Sequence, residues 1–179
     1  MTIDREEDKP LFLPPEGRED MDWRSGPMKW LWRQFSFQLL SPRAKAVCEQ
    51  LNRRSANAQD VWGDEGYRGR FSNVVKAMAK LAYRWPTDRF LPSDPYSIVT
   101  FNYVWDGADM DGCEHEEFYL LLEDLVGRSI SELTVAVLNR LTLGEAVDVL
   151  LDIALSVPGF EDRLQENEKL FIVGNQGPP

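Results

Sequence analysis

The chain has 179 residues, 43% of them hydrophobic and 28% charged, with a formal net charge of −10. That is an ordinary globular composition, long enough for one core, and no low-complexity segment occurs. No run of about 18 apolar residues occurs, so no membrane-spanning helix is expected, and two cysteines, Cys48 and Cys113, make no disulfide framework.

In chain order, residues 1–26 are acidic and proline-containing with few apolar anchors, and read as a mostly disordered tail. The start is neither a signal peptide nor an Arg-rich transit peptide, so a cytoplasmic protein is expected. A helical extension follows over 27–69. In its first part Trp30, Leu31, Phe35 and Leu39 recur near helical spacing, with Trp32 and Phe37 off the stripe. Ser41 caps a second helix with Pro42 at its first position; Ala44, Val47, Cys48 and Leu51 form one face. Trp62 to Gly69 is a turn-rich link.

From residue 70 to 158 the pattern is that of a helical bundle. Phe71, Val74, Val75, Met78, Leu81, Ala82 and Trp85 fall at helical steps, limited by Pro86. Residues 86–111 form a long connection with Pro92 and Pro95. Its middle, Tyr96 to Trp105, is rich in β-branched and aromatic residues and suits either a strand or a packed loop. A helix then runs from Cys113 to Val126 with Phe118, Leu121, Leu122 and Leu125 on one face, and Gly127 suits its C-terminal cap. A short connector leads to Thr142, which caps the next helix with Glu145 at the capping-box spacing. That helix buries Ala146, Val147, Leu150, Leu151 and Ala154 and ends at Pro158 and Gly159. Residues 159–179 are set apart as a polar C-terminal tail, with a weak strand signal at Lys169 to Val173. No internal repeat is present. The fold class expected is mainly α: a helical bundle with an N-terminal helical extension.

The ordered set from Phe71 to Ala154 carries a resemblance. Leu122, Glu123, Gly127 and Ile130 match the apolar run, acid, break and isoleucine that close the second helix of acyl carrier proteins. Thr142, Glu145, Ala146, Val147 and Asp148 match the opening of that family's last helix. The segment therefore resembles the acyl carrier protein fold. It is most similar to carrier-like bacterial proteins of unknown function in which Asp-Gly followed by acids replaces the Asp-Ser motif. The resemblance covers about half of the chain; the part up to Gly69 has no counterpart in it. It implies a helix, a long loop, a second helix, a short third helix and a last helix. Counting back from Ile130 places Asp111 on the family's Asp, Gly112 on its modified serine and Cys113 on its Leu. Glycine has no hydroxyl to esterify, so phosphopantetheine attachment does not carry over and no cofactor is expected.

The recognition logic does carry over. Carrier partners read an acidic second helix through charge complementarity. From Asp106 to Asp124 the chain has eight acids and no Lys or Arg. The candidate partner-binding residues are Asp109, Asp111, Gly112, Glu114, Glu116, Glu117, Glu123 and Asp124, and the expected partner is a basic protein. The competing reading is a solvated face whose N-terminal acids favour the helix dipole. The dipole accounts for Glu114, Glu116 and Glu117, but not for the acidic loop before them.

Other chemistry finds less support. A calcium loop with Gly112 at its sixth position would place Gly107 first and Phe118 twelfth, losing both ends of the coordination shell. His115, the sole histidine, sits among carboxylates on a helix with no glycine elbow near it. One His and two distant Cys do not make a zinc site. Cys113 sits at a helix start, which lowers a thiol pKa, but the surrounding acids raise it. No phosphate-cradling glycine motif occurs. Lys29, Trp30, Trp32, Arg33, Phe35 and Phe37 interleave as base-stacking platforms would, yet core aromatics are commoner and the overall acidity opposes phosphate. No nucleic acid, membrane or metal is expected.

Charge is uneven. Arg24 to Arg89 carries a net +8 and the remainder −18. Either the basic part packs on the acidic part of the same chain, or the asymmetry marks a partner. Two readings remain: a non-enzymatic, carrier-like acidic interaction module, or an acidic immunity-type inhibitor of a basic toxin or enzyme.

Overall fold

The computed structural model describes residues 9–14, 42–55, 62, 66–100 and 113–173. The helix expected over 27–40 lies outside the described residues. Among those described, seven α-helices and one π-helical turn occur and no strand: α1 Pro42–Arg53, α2 Tyr67–Ala82, α3 Tyr96–Val99, α4 Cys113–Val126, α5 Glu132–Leu138, α6 Leu143–Leu155, α7 Phe160–Glu168, then the turn Lys169–Val173. The mainly α class expected from the sequence is what folds.

The core is built from the predicted stripes. Phe71, Val74, Val75 and Met78 of α2, Phe118, Leu122 and Leu125 of α4, and Ala146, Val147, Leu150 and Ala154 of α6 have no exposed surface. Helices α2, α4 and α6 contact one another pairwise. Leu81 departs from its expected place and is 52% exposed. It shares the outer side of α2 with exposed Asn73 and Lys80.

Helix α2 stops at Ala82, short of Pro86. Arg84 takes φ +52, and two backbone bonds close the end: Arg84 N–H to Leu81 O, and Trp85 N–H to Lys80 O. This is the left-handed Schellman termination, here without glycine. Trp85 is buried beyond the helix, its indole N–H donating to Val99 O at 2.9 Å.

The stretch that suits strand or loop opens instead as a helical turn. Ile98 and Val99 N–H donate to Pro95 O, and Thr100 N–H to Tyr96 O. Tyr96, Ile98 and Val99 are all buried, so residues that favour a pleated surface are held helical by burial on several sides. Residues 101–112 lie outside the described part. Pro95 forms an isolated bridge with Thr142. Around it, Leu143 N–H donates to Asp94 O and Gly144 N–H to Pro92 O. The loop thus caps the free N–H groups of α6. Gly144 suits this approach: a Cβ there would stand 3.0 Å from Pro92 Cβ and 3.1 Å from Pro92 O, close enough that the loop would have to shift.

Two segments set apart as tails contribute to the core. Residues 160–173 fold back, with Phe160, Leu164, Asn167 and Phe171 buried, and α7 contacts both α2 and α4. Lys169 to Val173 is a π-helical turn, not a strand. Near the N-terminus, Leu11 is buried within the core cluster while Phe12 is 64% exposed. Residues 1–8 and 15–26 are outside the described residues.

A buried ion pair joins this arm to the bundle. Arg54 donates from both terminal nitrogens to the two carboxylate oxygens of Asp94 at 2.6 Å. Asp94 also accepts from Leu11 N–H at 2.8 Å and Leu91 N–H at 2.7 Å. Arg54 further donates to Arg89 O and Lys9 O. Both charges are fully partnered, which buried charges require.

Candidate functional site

Helix α4 is the element that carries the predicted acidic face. Its inner side is fixed by Phe118, Leu122, Leu125 and Val126, all without exposed surface. The helical period of about 3.6 residues then sets the outer side. Glu116 and Glu117 are exposed there, as is Asp124. Between them stands Leu120, 64% exposed. A leucine among carboxylates on the outside of a core helix was not singled out by the sequence pattern. The signal is its place off the Phe118–Leu122–Leu125 stripe, three residues from Glu117 and four from Glu116 and Asp124.

Not every predicted acid faces outward freely. Glu123 is half-buried and accepts a hydrogen bond from Ile130 N–H at 2.7 Å, so it ties the end of α4 to the following loop. Asp124 lies 3.5 Å from the Asn167 side-chain amide of α7. Glu114 lies in the first turn of α4, its side chain outside the described part. Asp109, Asp111 and Gly112 lie outside the described residues, as do the first six positions of the loop weighed for calcium; its last six are the start of α4, and Phe118 at the twelfth is buried. The structure therefore brings together Glu116, Glu117, Leu120 and Asp124 on one face, and gives Glu123 a positioning contact.

The end of α4 is built tightly. Gly127 takes φ +82, and its N–H donates to Glu123 O at 2.7 Å. The Arg163 guanidinium covers this end. It donates to Leu125 O at 3.3 Å, Val126 O at 3.2 Å and Pro158 O at 2.6 Å. A cation at a helix C-terminus also complements the dipole.

A shallow groove of about 290 Å³ lies beside α5, lined by Arg128, Ser129, Ile130, Ser131, Thr134 and Ile153. Ser131 is committed to capping α5, accepting from Thr134 N–H at 3.2 Å. This lining includes no carboxylate, histidine or cysteine to act as a base. No group of three or more His, Cys, Asp or Glu with metal-holding geometry occurs among the described residues, and none of their helices is long and apolar enough to cross a membrane. Cys48 is buried, which pushes its thiol pKa up and away from reactivity. Burial likewise raises the Tyr96 phenol well above its ordinary value.

Part of the charge asymmetry is spent within the chain. Arg68 pairs with Asp148 at 2.6 Å, and Arg70 pairs with Glu161 at 2.9 Å and Glu168 at 2.6 Å. Basic groups of α2 thus meet acids of α6 and α7. Glu116 and Glu117 are in neither set.

No protein-family model, no curated protein and no solved structure matches the chain.

Proposed function

We propose that the chain is a non-enzymatic, carrier-like protein without the prosthetic-group serine, acting in the cytoplasm as an acidic module that docks a basic protein through the outer face of α4. One observation carries this reading: Leu120 stands exposed among Glu116, Glu117 and Asp124 on a helix whose other face is fully buried. An apolar anchor ringed by charge of one sign suits an interface in which charge steers encounter and the anchor desolvates. The element order from α2 to α6, long helix, connection holding the short α3, long helix, short helix, long helix, is one that the resemblance to acyl carriers would give. That order does not involve Gly112, which lies outside the described residues.

The test is a charge reversal, Glu116→Lys with Glu117→Lys. Both side chains are exposed, so the fold persists and binding to the basic partner weakens, most at low salt. Equal binding by this variant would move the docking surface elsewhere.

A further inference from the structure

The N-terminal arm, residues 9–14, is seated by contacts that read its backbone. Leu11 N–H donates to Asp94 Oδ1 at 2.8 Å, and Lys9 O accepts from Arg54 at 2.8 Å. The Gln50 side-chain amide holds Phe12 on both sides, accepting from its N–H at 2.8 Å and donating to its O at 2.7 Å. Pro14 O accepts from Arg43 Nε at 2.9 Å. Only one side chain is deeply inserted, Leu11 at 3% exposed, while Leu13 packs partly on the core and Phe12 points out. The seat itself consists of Arg43 and Gln50 of α1, Arg54 just beyond its end, and Asp94 of the loop that caps α6.

Hydrogen bonds to main-chain groups along an extended segment, with a recess for one apolar side chain, are the means by which proteins bind extended peptides. Arg54 and Asp94 do not depend on the arm for their pairing, because they bind each other through two bonds. The charged part of the seat is thus closed by bonds that do not involve the arm. The arm rejoins α1 only through residues 15–41, so in sequence it is a remote ligand held in cis.

We propose that the groove between α1 and the Arg89–Asp94 loop is a peptide-binding site, occupied in cis by Lys9–Pro14, that accepts a partner protein's extended, proline-flanked segment with a leucine anchor. The occupant is specified by the seat: two guanidinium groups and an amide for three carbonyls, a carboxylate and an amide oxygen for two N–H groups, and one apolar recess. This site is separate from the outer face of α4, and its variants do not touch that face.

The test uses the full chain carrying Leu11→Asp, whose own arm no longer seats, and a labelled peptide with the sequence of residues 8–15. The variant should bind the peptide at least about tenfold more tightly than the unaltered chain, whose tethered arm competes at an effective concentration of roughly millimolar. A peptide with Asp in place of its leucine should bind neither, and adding Gln50→Ala to the variant should weaken binding severalfold. A folded Leu11→Asp chain with no saturable binding up to about millimolar peptide overturns the proposal. Amide exchange on the unaltered chain provides a second readout that needs no variant. Leu11 and Phe12 should exchange well before Leu122, because the arm leaves without global unfolding; equal protection would make the arm an inseparable part of the core and overturn the proposal. A concentration-dependent dimer lost in Leu11→Asp would give the seat to a second copy's arm and overturn the assignment to a separate partner.

Discussion

Gly127 shows how much one position holds at the end of the helix that carries the acidic face. Its φ of +82 disfavours any side chain, and a Cβ there would lie 2.5 Å from Arg163 Cζ. Gly127→Ala should therefore lower stability by about 1–2 kcal/mol from the left-handed backbone alone, and further by displacing the guanidinium from Leu125 O and Val126 O. Urea denaturation measures this; an unchanged midpoint would mean that the turn re-forms freely. The glycine was legible in the sequence because it ends an apolar stripe. Arg163 was not, because a cap supplied from another helix leaves no local spacing to read. Leu120 was passed over for a related reason: stripe counting ranks residues by the core they build and is silent on those it leaves out.

At the scale of the element, α6 was the most legible. Thr142 accepts from Glu145 N–H at 3.3 Å, and Glu145 accepts from Thr142 N–H at 2.9 Å, the reciprocal bonds that their spacing predicts. Thr142→Ala should cost about 1 kcal/mol, seen as a lower thermal midpoint. The bond from Thr142 N–H holds the Glu145 carboxyl below its ordinary pKa, and Arg70 does the same to Glu161. A folded-state pKa that is depressed gives stability present above the ordinary carboxylate range and lost as pH falls through the folded value. Glu145→Gln should therefore flatten the acid limb of the stability curve; an acid limb identical to that of the parent would remove this linkage. Tyr96 to Val99 was less legible. Its composition fits a strand, but Pro95 O accepts from Ile98 and Val99 N–H and the surroundings bury its side chains, so tertiary context decided. In α7 and the turn after it, Phe160, Leu164 and Phe171 keep helical steps, yet the charged residues between them lower the apolar signal.

Across the molecule, the buried pair Arg54–Asp94 joins the arm, α1 and the loop that caps α6. Asp94→Ala leaves a buried guanidinium without its carboxylate and should cost roughly 3–5 kcal/mol, measured by chemical denaturation; a loss well under this would mean that water or movement relieves the charge. Phe118→Asp or Leu122→Asp should unfold the bundle, since each puts a charge where no surface is exposed. Sequence separation hid the buried pair, which joins residues in segments that composition assigns to different roles. The uneven charge was visible from the sequence, but its division was not. Arg68 and Arg70 settle onto Asp148, Glu161 and Glu168, and Glu116 and Glu117 are left facing outward.

The docking of a basic protein on this outward face, as proposed, can be tested in the cell. The most direct measurement is capture from the cell of origin at low salt, comparing the parent chain with Glu116→Lys/Glu117→Lys and with Leu120→Asp, and taking the intact mass of each bait. The expected result is an unmodified bait holding one basic partner in stoichiometric amount, released by salt and lost in both variants. Equal retention by the variants, or a bait bearing a phosphopantetheine-sized adduct, would contradict it.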